Sequence, residues 1–325
     1  MVLSAARRCL LLFVSTGACA APFPTRDQNP LLAGFGLPHA MPSRIAAADE
    51  WQFAADFNWG SSAILQTNPR EALVVDAETR ELRATVGRGL GERFALQLQV
   101  PYRTTGAGSL DGFIDDWHGW FSLPEGDRPQ LPDDQYRVGY RRDGVTTLNI
   151  NSSSSGLADI CADVGYQIAA DATSSLAAWL SVKLPTGDAD KLTGSGATDV
   201  SLVIAGERQL ATRWSGFGQL GASYLGAGAL LPDQQRSVVW SGMAGIGFDI
   251  SRSIELKAQI DAHSAAFDAT SLEFLGDTAL LTVGGSYRLA AGWQLDLGVS
   301  EDIVVEGSPD VVFVFGISQR RTGGE

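Results

Sequence analysis

The stretch Arg93-Phe94-Ala95-Leu96-Gln97-Leu98-Gln99-Val100-Pro101-Tyr102-Arg103 decides the fold. Phe94, Leu96, Leu98, Val100 and Tyr102 fall on one parity, and Arg93, Ala95, Gln97, Gln99 and Arg103 on the other. A period of two over this length is a strand with one apolar and one polar face. The same parity separates Trp51, Phe53, Ala55, Phe57 and Trp59 from Gln52, Asp56 and Asn58. It also separates Ile254, Leu256, Ala258, Ile260 and Ala262 from Glu255, Lys257, Gln259, Asp261 and His263. The polar faces are too polar for lipid and the pattern too regular for loops.

Read in this way, the chain yields twelve strands, at 51–59, 80–88, 93–103, 157–169, 174–184, 198–210, 213–225, 237–249, 253–264, 278–289, 292–303 and 309–318. Most have the length that crosses a bilayer at a tilt. Connections after even strands are short; those after odd strands are mostly longer, at 60–79, 104–156, 185–197, 226–236, 265–277 and 304–308. Short periplasmic turns and long outer loops are the asymmetry of transmembrane β-barrels, and an even count returns both termini to the periplasm. Parity also places Trp214, Phe248, Tyr287, Trp293 and Phe315 outward near the periplasmic rim. Trp59, Tyr102, Tyr224 and Trp240 fall outward near the outer rim. Two aromatic belts are what the two membrane interfaces select. The predicted fold class is all-β: a transmembrane antiparallel up-and-down barrel over 51–318, with an N-terminal extension and one long outer loop. A soluble β-sandwich is the alternative, but it has no need of two belts.

Of 325 residues 45% are hydrophobic and 19% charged, and past the first twenty no apolar run is long enough for a membrane-spanning helix. Residues 1–20 read as a signal peptide: Arg7 and Arg8, then Cys9 to Val14, then Ala18-Cys19-Ala20 as the small-residue cleavage site. A lipidated Cys19 is the rival reading, with Thr16 where Leu is preferred. Cleavage would leave Cys161 alone, so no internal disulfide is expected. Removing Arg7 and Arg8 from 24 basic residues leaves 22 against 37 acidic ones, a net of −15, which argues against nucleic acid as a partner.

Two segments break the alternation. Residues 21–50 are a Pro-rich leader, either periplasmic or folded into the lumen as a plug, and 104–156 is a long extracellular loop carrying Trp117, His118, Trp120 and Phe121. Residues 319–325 form a polar tail.

The leader motif Gln28-Asn29-Pro30-Leu31-Leu32 with Gly36-Leu37-Pro38, the run Phe113-Ile114-Asp115-Asp116-Trp117-His118, and Val138-Gly139-Tyr140-Arg141-Arg142-Asp143-Gly144 resemble an uncharacterised proteobacterial outer-membrane β-barrel family, a domain of unknown function. The resemblance spans nearly the whole mature chain and implies no catalytic residue. Lys183-Leu184-Pro185-Thr186-Gly187-Asp188, with Gly194-Ser195-Gly196 and Asp199, is similar to a loop of aromatic-compound uptake barrels.

The expected function is a passive gated channel for a small molecule, with 104–156 as lid or constriction and the leader as plug. The alternative is a plugged surface barrel that binds a partner or envelope component through its outer loops, and a third is an outer-membrane hydrolase. The ligand or constriction candidates are Trp117, His118, Trp120, Trp179, Lys183, Lys257, Asp261 and His263. Trp179 points inward by parity and needs something to stack on, whether leader, loop or ligand. Asp261 and His263 share a face, so an Asp-oriented imidazole is one reading and a lumen hydrogen-bond pair the other. No cofactor or metal is expected. The expected partners are outer-membrane lipid and lipopolysaccharide, the barrel assembly machinery and a small solute.

Overall fold

A computed structural model describes residues 21–121, 127–268, 270–303 and 307–322; the side chains of Trp117, His118 and Phe121 lie outside that description. The expected signal peptide at 1–20 lies outside it too.

Twelve long strands close into an antiparallel barrel. They are β1 (Glu50–Thr67), β2 (Glu71–Leu90), β3 (Phe94–Gly106), β7 (Cys161–Ala170), β8 (Ser174–Lys183), β9 (Asp199–Ala211), β10 (Trp214–Tyr224), β11 (Val238–Asp249), β12 (Ile254–His263), β13 (Thr278–Arg288), β14 (Trp293–Asp302) and β15 (Val311–Thr322). β1 pairs with β15 from Glu50↔Thr322 to Ser61↔Val311, which seals the sheet. Three further strands stand between β3 and β7: β4 (Arg137–Arg142), β5 (Val145–Ile150) and β6 (Ser154–Leu157). β4 extends the outer half of β2 and carries β5, while β6 extends the outer end of β3.

Burial follows parity closely along the wall. In β3 the even positions Phe94, Leu96, Leu98 and Tyr102 are exposed, while Ala95, Gln97, Gln99 and Arg103 are buried. A closed sheet leaves no strand edge to meet lipid, so exposed apolar side chains outside and buried polar ones inside are compatible.

Besides the strand expected from residue 157, which begins at Cys161 after β6 ends at Leu157, two boundaries differ from the sequence reading. Residues 60–79 are not a loop: β1 and β2 run on through them to a turn at 68–70, with pairing as far as Thr67↔Ala72. Period-two alternation fails there because both faces are covered. Ile64, Leu73, Val75 and Ala77 are buried in a cluster above the barrel. β1 loses its β15 partner beyond Ser61, and loop residues take its place: the Leu65 amide donates to Asp127 Oδ2 at 2.8 Å, and Arg128 Nη1 to Ser61 Oγ at 3.2 Å. Second, β15 continues to Thr322, so residues 319–322 of the expected tail are strand, with Gln319 opposite Trp293 and Phe53. This moves Phe315 away from the rim to the level of Phe57 and Leu297.

The long loop divides: its β4 joins the cluster above the barrel, and its first part lies against the outside of the wall. Its helix α1 (Asp111–Phe121) packs on the outside of the wall, where Leu110 and Ile114 bury against Val311 beside Trp59 and Phe313. Phe113 meets the ring of Phe313 at 5.8 Å between centroids. Arg128 holds the arrangement, with guanidinium nitrogens 2.6 Å from Asp111, 3.3 Å from Asp115 and 2.8 Å from Asp310.

Candidate functional site

The lumen is occupied by the leader. Residues 21–35 climb beside β12, turn at the long-loop end, and residues 36–46 descend beside β9, β10, β8 and β7. On the rising limb the Ala21 carbonyl accepts from Lys257 Nζ at 2.8 Å, the Phe23 amide donates to Gln259 Oε1 at 2.8 Å, Thr25 Oγ1 to Asp261 Oδ2 at 3.0 Å, and Asp27 Oδ2 lies 3.0 Å from His263 Nε2. Each step of two leader residues meets the next inward residue of β12. On the falling limb the Gly36 amide donates to Asp199 Oδ2 at 2.7 Å, the Met41 amide to Gln219 Oε1 at 2.8 Å, and the Ile45 amide to Gln167 Oε1 at 3.0 Å.

The turn of the leader is the centre of a hydrophobic cap. Leu31, Leu32 and Phe35 are buried with Leu192, Leu230, Leu231, Phe267, Phe274 and Leu275 from the outer loops, and with Val138 and Tyr140 from β4. Phe35 meets Phe267 edge-on at 5.7 Å. Tyr140 donates to Glu71 Oε1 at 2.5 Å and accepts from Gln234. Burial, with that carboxylate beside it, pushes the phenol up to about 12. The outer loops thus pack on the leader as a small globular core above the barrel mouth.

Between cap and lower lumen lie buried ion clusters that fix the turn. Lys183 Nζ sits 2.6 Å from Asp159, 3.1 Å from Asp199, 2.5 Å from Ser195 Oγ and 3.0 Å from the Gly34 carbonyl. Glu81 takes Arg83 at 2.5 Å and Arg103 at 3.1 Å through Nε, and Arg103 reaches the carbonyls of Ala33 at 2.6 Å and Leu192 at 3.1 Å. Burying a charge is tolerable when it is paired and hydrogen-bonded, as Lys183, Glu81 and Arg103 are; Arg83 is paired to Glu81 while its Nη1 stays buried without a partner. The segment Lys183–Asp199, read as an uptake-like loop, closes on the leader's turn through Lys183, Ser195 and Asp199.

Trp179, Lys183, Lys257, Asp261 and His263 all meet the leader. Trp179 is 2% exposed and packs with Met41 and Ile45. Asp261 and His263 are neighbours on one face, yet the carboxylate accepts from Thr25 and Gln259, while the imidazole binds Asp27 and the Ser264 carbonyl. Each is turned toward the leader, so Asp261 and His263 form neither a hydrogen-bond pair with each other nor an imidazole oriented by Asp261; the aspartate on the imidazole is Asp27. Ser241, opposite His263 in register, has a buried hydroxyl with no partner, and both ring nitrogens are already engaged. Trp120 is 68% exposed on α1, outside the wall and away from the lumen. Trp117 and His118 lie on that helix, with side chains outside the described set.

Sequence reasoning missed the wall glutamines Gln167, Gln219 and Gln259. Their inward parity was legible, but one glutamine looks like any other lumen polar residue until its partner is known. Between the two leader limbs a cavity of about 40 Å³ is lined by Asp27, Leu32, Pro38, Ser241, Asp261 and His263 among others. That is room for about one or two waters.

The fold is shared with outer-membrane barrels. The COG4313 outer membrane channel from Pseudomonas putida F1 is similar with a TM-score of 0.59 at 14% identity, covering 86% of this chain and 99% of that one. The Pseudomonas putida toluene transporter TodX superposes at a TM-score of 0.38 and 9% identity, over 94% of this chain and 96% of that one. At 14% identity the likeness to the COG4313 channel is one of fold. No curated protein matches the chain. Residues 12–320 match the family described as Protein of unknown function (DUF3187), and the chain belongs to that family.

Proposed function

We propose that this protein is an outer-membrane conduit for a small solute, exported by its N-terminal signal peptide and held shut by residues 21–46. The observation that carries this reading is the chemistry of the boundary between leader and wall. A barrel needing only a solid filling is best packed with apolar side chains, as the cap is. Below the cap the wall presents Gln167, Gln219, Gln259, Asp199 and Asp261, and these bond a segment that belongs to no strand. A wall so lined remains wettable when the segment leaves, and a polar lining is what a solute path needs.

Pro38 and Gly221 supply the test: a side chain built on Gly221 would come 3.1 Å from Pro38 Cγ, and 2.7 Å from Ser241 Oγ, which can rotate aside, so cysteines at 38 and 221 lie within reach of each other. Pro38→Cys with Gly221→Cys, in a Cys161→Ala background, is expected to show openings in planar bilayers when reduced and none when oxidised. Absence of conductance, and of solute flux in liposomes, in both states would sink the conduit reading. A second reading, a plugged surface barrel that binds an envelope component, is favoured by Phe113 and Trp120, 43% and 68% exposed on α1. For that reading, deleting 110–135 abolishes binding and leaves flux unchanged.

A further inference from the structure

The wall reads the falling limb largely through its main chain, with polar side-chain contacts confined to Ser43, whose Oγ lies 2.7 Å from Ser175 Oγ, and Arg44, 3.8 Å from Glu207. Gln219 accepts the Met41 amide at 2.8 Å and donates to the His39 carbonyl at 3.0 Å. Gln167 accepts the Ile45 amide at 3.0 Å and donates to the Ser43 carbonyl at 2.9 Å. On the rising limb Gln259 accepts the Phe23 amide at 2.8 Å and approaches the Phe23 carbonyl at 3.4 Å. A carboxamide has one acceptor oxygen and a donor NH₂, so one glutamine can satisfy an N–H and a C=O together. In an extended chain the C=O of one residue and the N–H two residues later point to the same side. His39 with Met41, and Ser43 with Ile45, therefore present to each glutamine the pair that a neighbouring strand would take.

Further wall groups read main chain on this limb, Asp199 at the Gly36 amide and Arg320 at the Arg44 carbonyl among them. Trp179 Nε1 donates to the Pro42 carbonyl at 2.7 Å, and Ser201 Oγ to the Gly36 carbonyl at 2.7 Å. Side chains are sorted by alternation instead. Met41, Ser43 and Ile45 are buried while Pro42 and Arg44 are half-buried, and the pockets of Met41 and Ile45 are apolar, formed by Trp179, Ala177, Val203, Ala205 and Ala95. Main-chain hydrogen bonds for affinity, with pockets for alternate side chains, is how proteins hold extended peptides by strand-like addition.

We propose that the groove formed by β7, β8, β9 and β10 is a binding site for an extended peptide, that residues 38–46 are its occupant in cis, and that the solute class of the conduit is a short peptide with apolar side chains four positions apart. This rests on the conduit reading above. The leader then competes with solute for one groove, and a peptide entering from the short-turn end replaces the limb that blocks it.

The test starts from the full chain. A protease recognition site replacing the exposed residues 47–49 lets the barrel fold with its leader in place, after which cleavage makes residues 21–46 a separate peptide. Fluorescent peptide 36–48 is then displaced by three competitors: itself, an analogue keeping Met41 and Ile45 with its other side chains exchanged, and a copy N-methylated at 41 and 45. The analogue is expected to compete within about tenfold of the parent, and the N-methylated copy about 30-fold worse or more, for two lost main-chain bonds. Equal competition by the N-methylated copy, failure of the analogue where the parent succeeds, or a cleaved leader that never exchanges would each overturn the peptide site. Conductance of the cleaved barrel is read separately. A barrel that conducts but takes no peptide overturns the peptide class alone, and one that takes peptide without conducting overturns the conduit and peptide transport with it.

Discussion

The indole of Trp179 donates to the Pro42 carbonyl at 2.7 Å while its ring lies over Gly165, the cross-strand neighbour of Trp179. A Cβ at Gly165 would stand 2.8 Å from the ring, so only glycine leaves room for the indole to lie flat against the wall and still reach the leader. Trp179→Phe keeps most of the buried area and orphans the carbonyl. It is expected to weaken leader docking by about 1–3 kcal/mol, seen as faster thiol labelling of a Ser43→Cys reporter. Unchanged labelling would mean that the bond holds nothing.

Lys183 is the one ammonium shared by Asp159 and Asp199. Lys183→Met strands two carboxylates and is expected to cost about 3–5 kcal/mol in urea unfolding from lipid vesicles. Adding Asp159→Asn should restore part of the loss, and a double variant no better than the single would place the effect elsewhere.

The cap should melt before the wall. Phe35→Ala, at the contact with Phe267, is expected to cost about 3–5 kcal/mol of cap stability. Limited proteolysis should then cut within 185–197, 226–236 and 265–277, while the β3 amides stay protected from exchange. Simultaneous loss of both would show cap and barrel to be a single cooperative unit.

Acid should loosen the turn at Asp171. Its carboxylate accepts the amides of Thr173 at 2.7 Å and Ser174 at 2.9 Å as well as both hydroxyls, and these bonds, Thr173's amide foremost, lower it from 3.8 to about 2. A depressed carboxylate stabilises the fold above its unfolded value and loses that contribution as pH falls through the folded one. The turn is therefore expected to hold above about pH 4 and to weaken between about 4 and 2, followed by exchange of the Thr173 and Ser174 amides. Asp171→Asn should remove the pH dependence. Arg44 donates to the Asp171 carbonyl at 2.7 Å, so the leader's lower end should loosen over the same range.

Deleting 110–135 should leave conductance unaltered, because α1 and Arg128 lie against the outer surface of β1 and β15. A rise in conductance would mean that residues 110–135, and not β4 alone, obstruct the mouth.

What the sequence made legible was the part of the chain that lipid reads. Leu96 and Gln97 reveal their faces because one meets hydrocarbon and the other the lumen. Ile64 and Val75 conceal theirs, since the cap buries one side and loop residues or β4 cover the other, and alternation vanishes although the strand continues. Asp261 and His263 were legible as lumen groups, but their partners Thr25 and Asp27 lie 236 residues away in a segment with no periodicity. Trp179 announced its need for a partner, while the glutamines announced nothing, because their role is defined by a backbone that sequence does not distinguish.

The leader enters and leaves the barrel at the same end: Ala21 sits by Lys257 near the short-turn end, and Ala48 bridges to Gly89 just before β1 begins. Only its bend reaches the far side. A bent segment of this kind can be drawn out as a finger from a glove, with no free end passing through the pore, no strand pair parting and no topological crossing to undo. Opening is in that respect a sliding motion whose resistance is the sum of local contacts, and it can halt at intermediate depths.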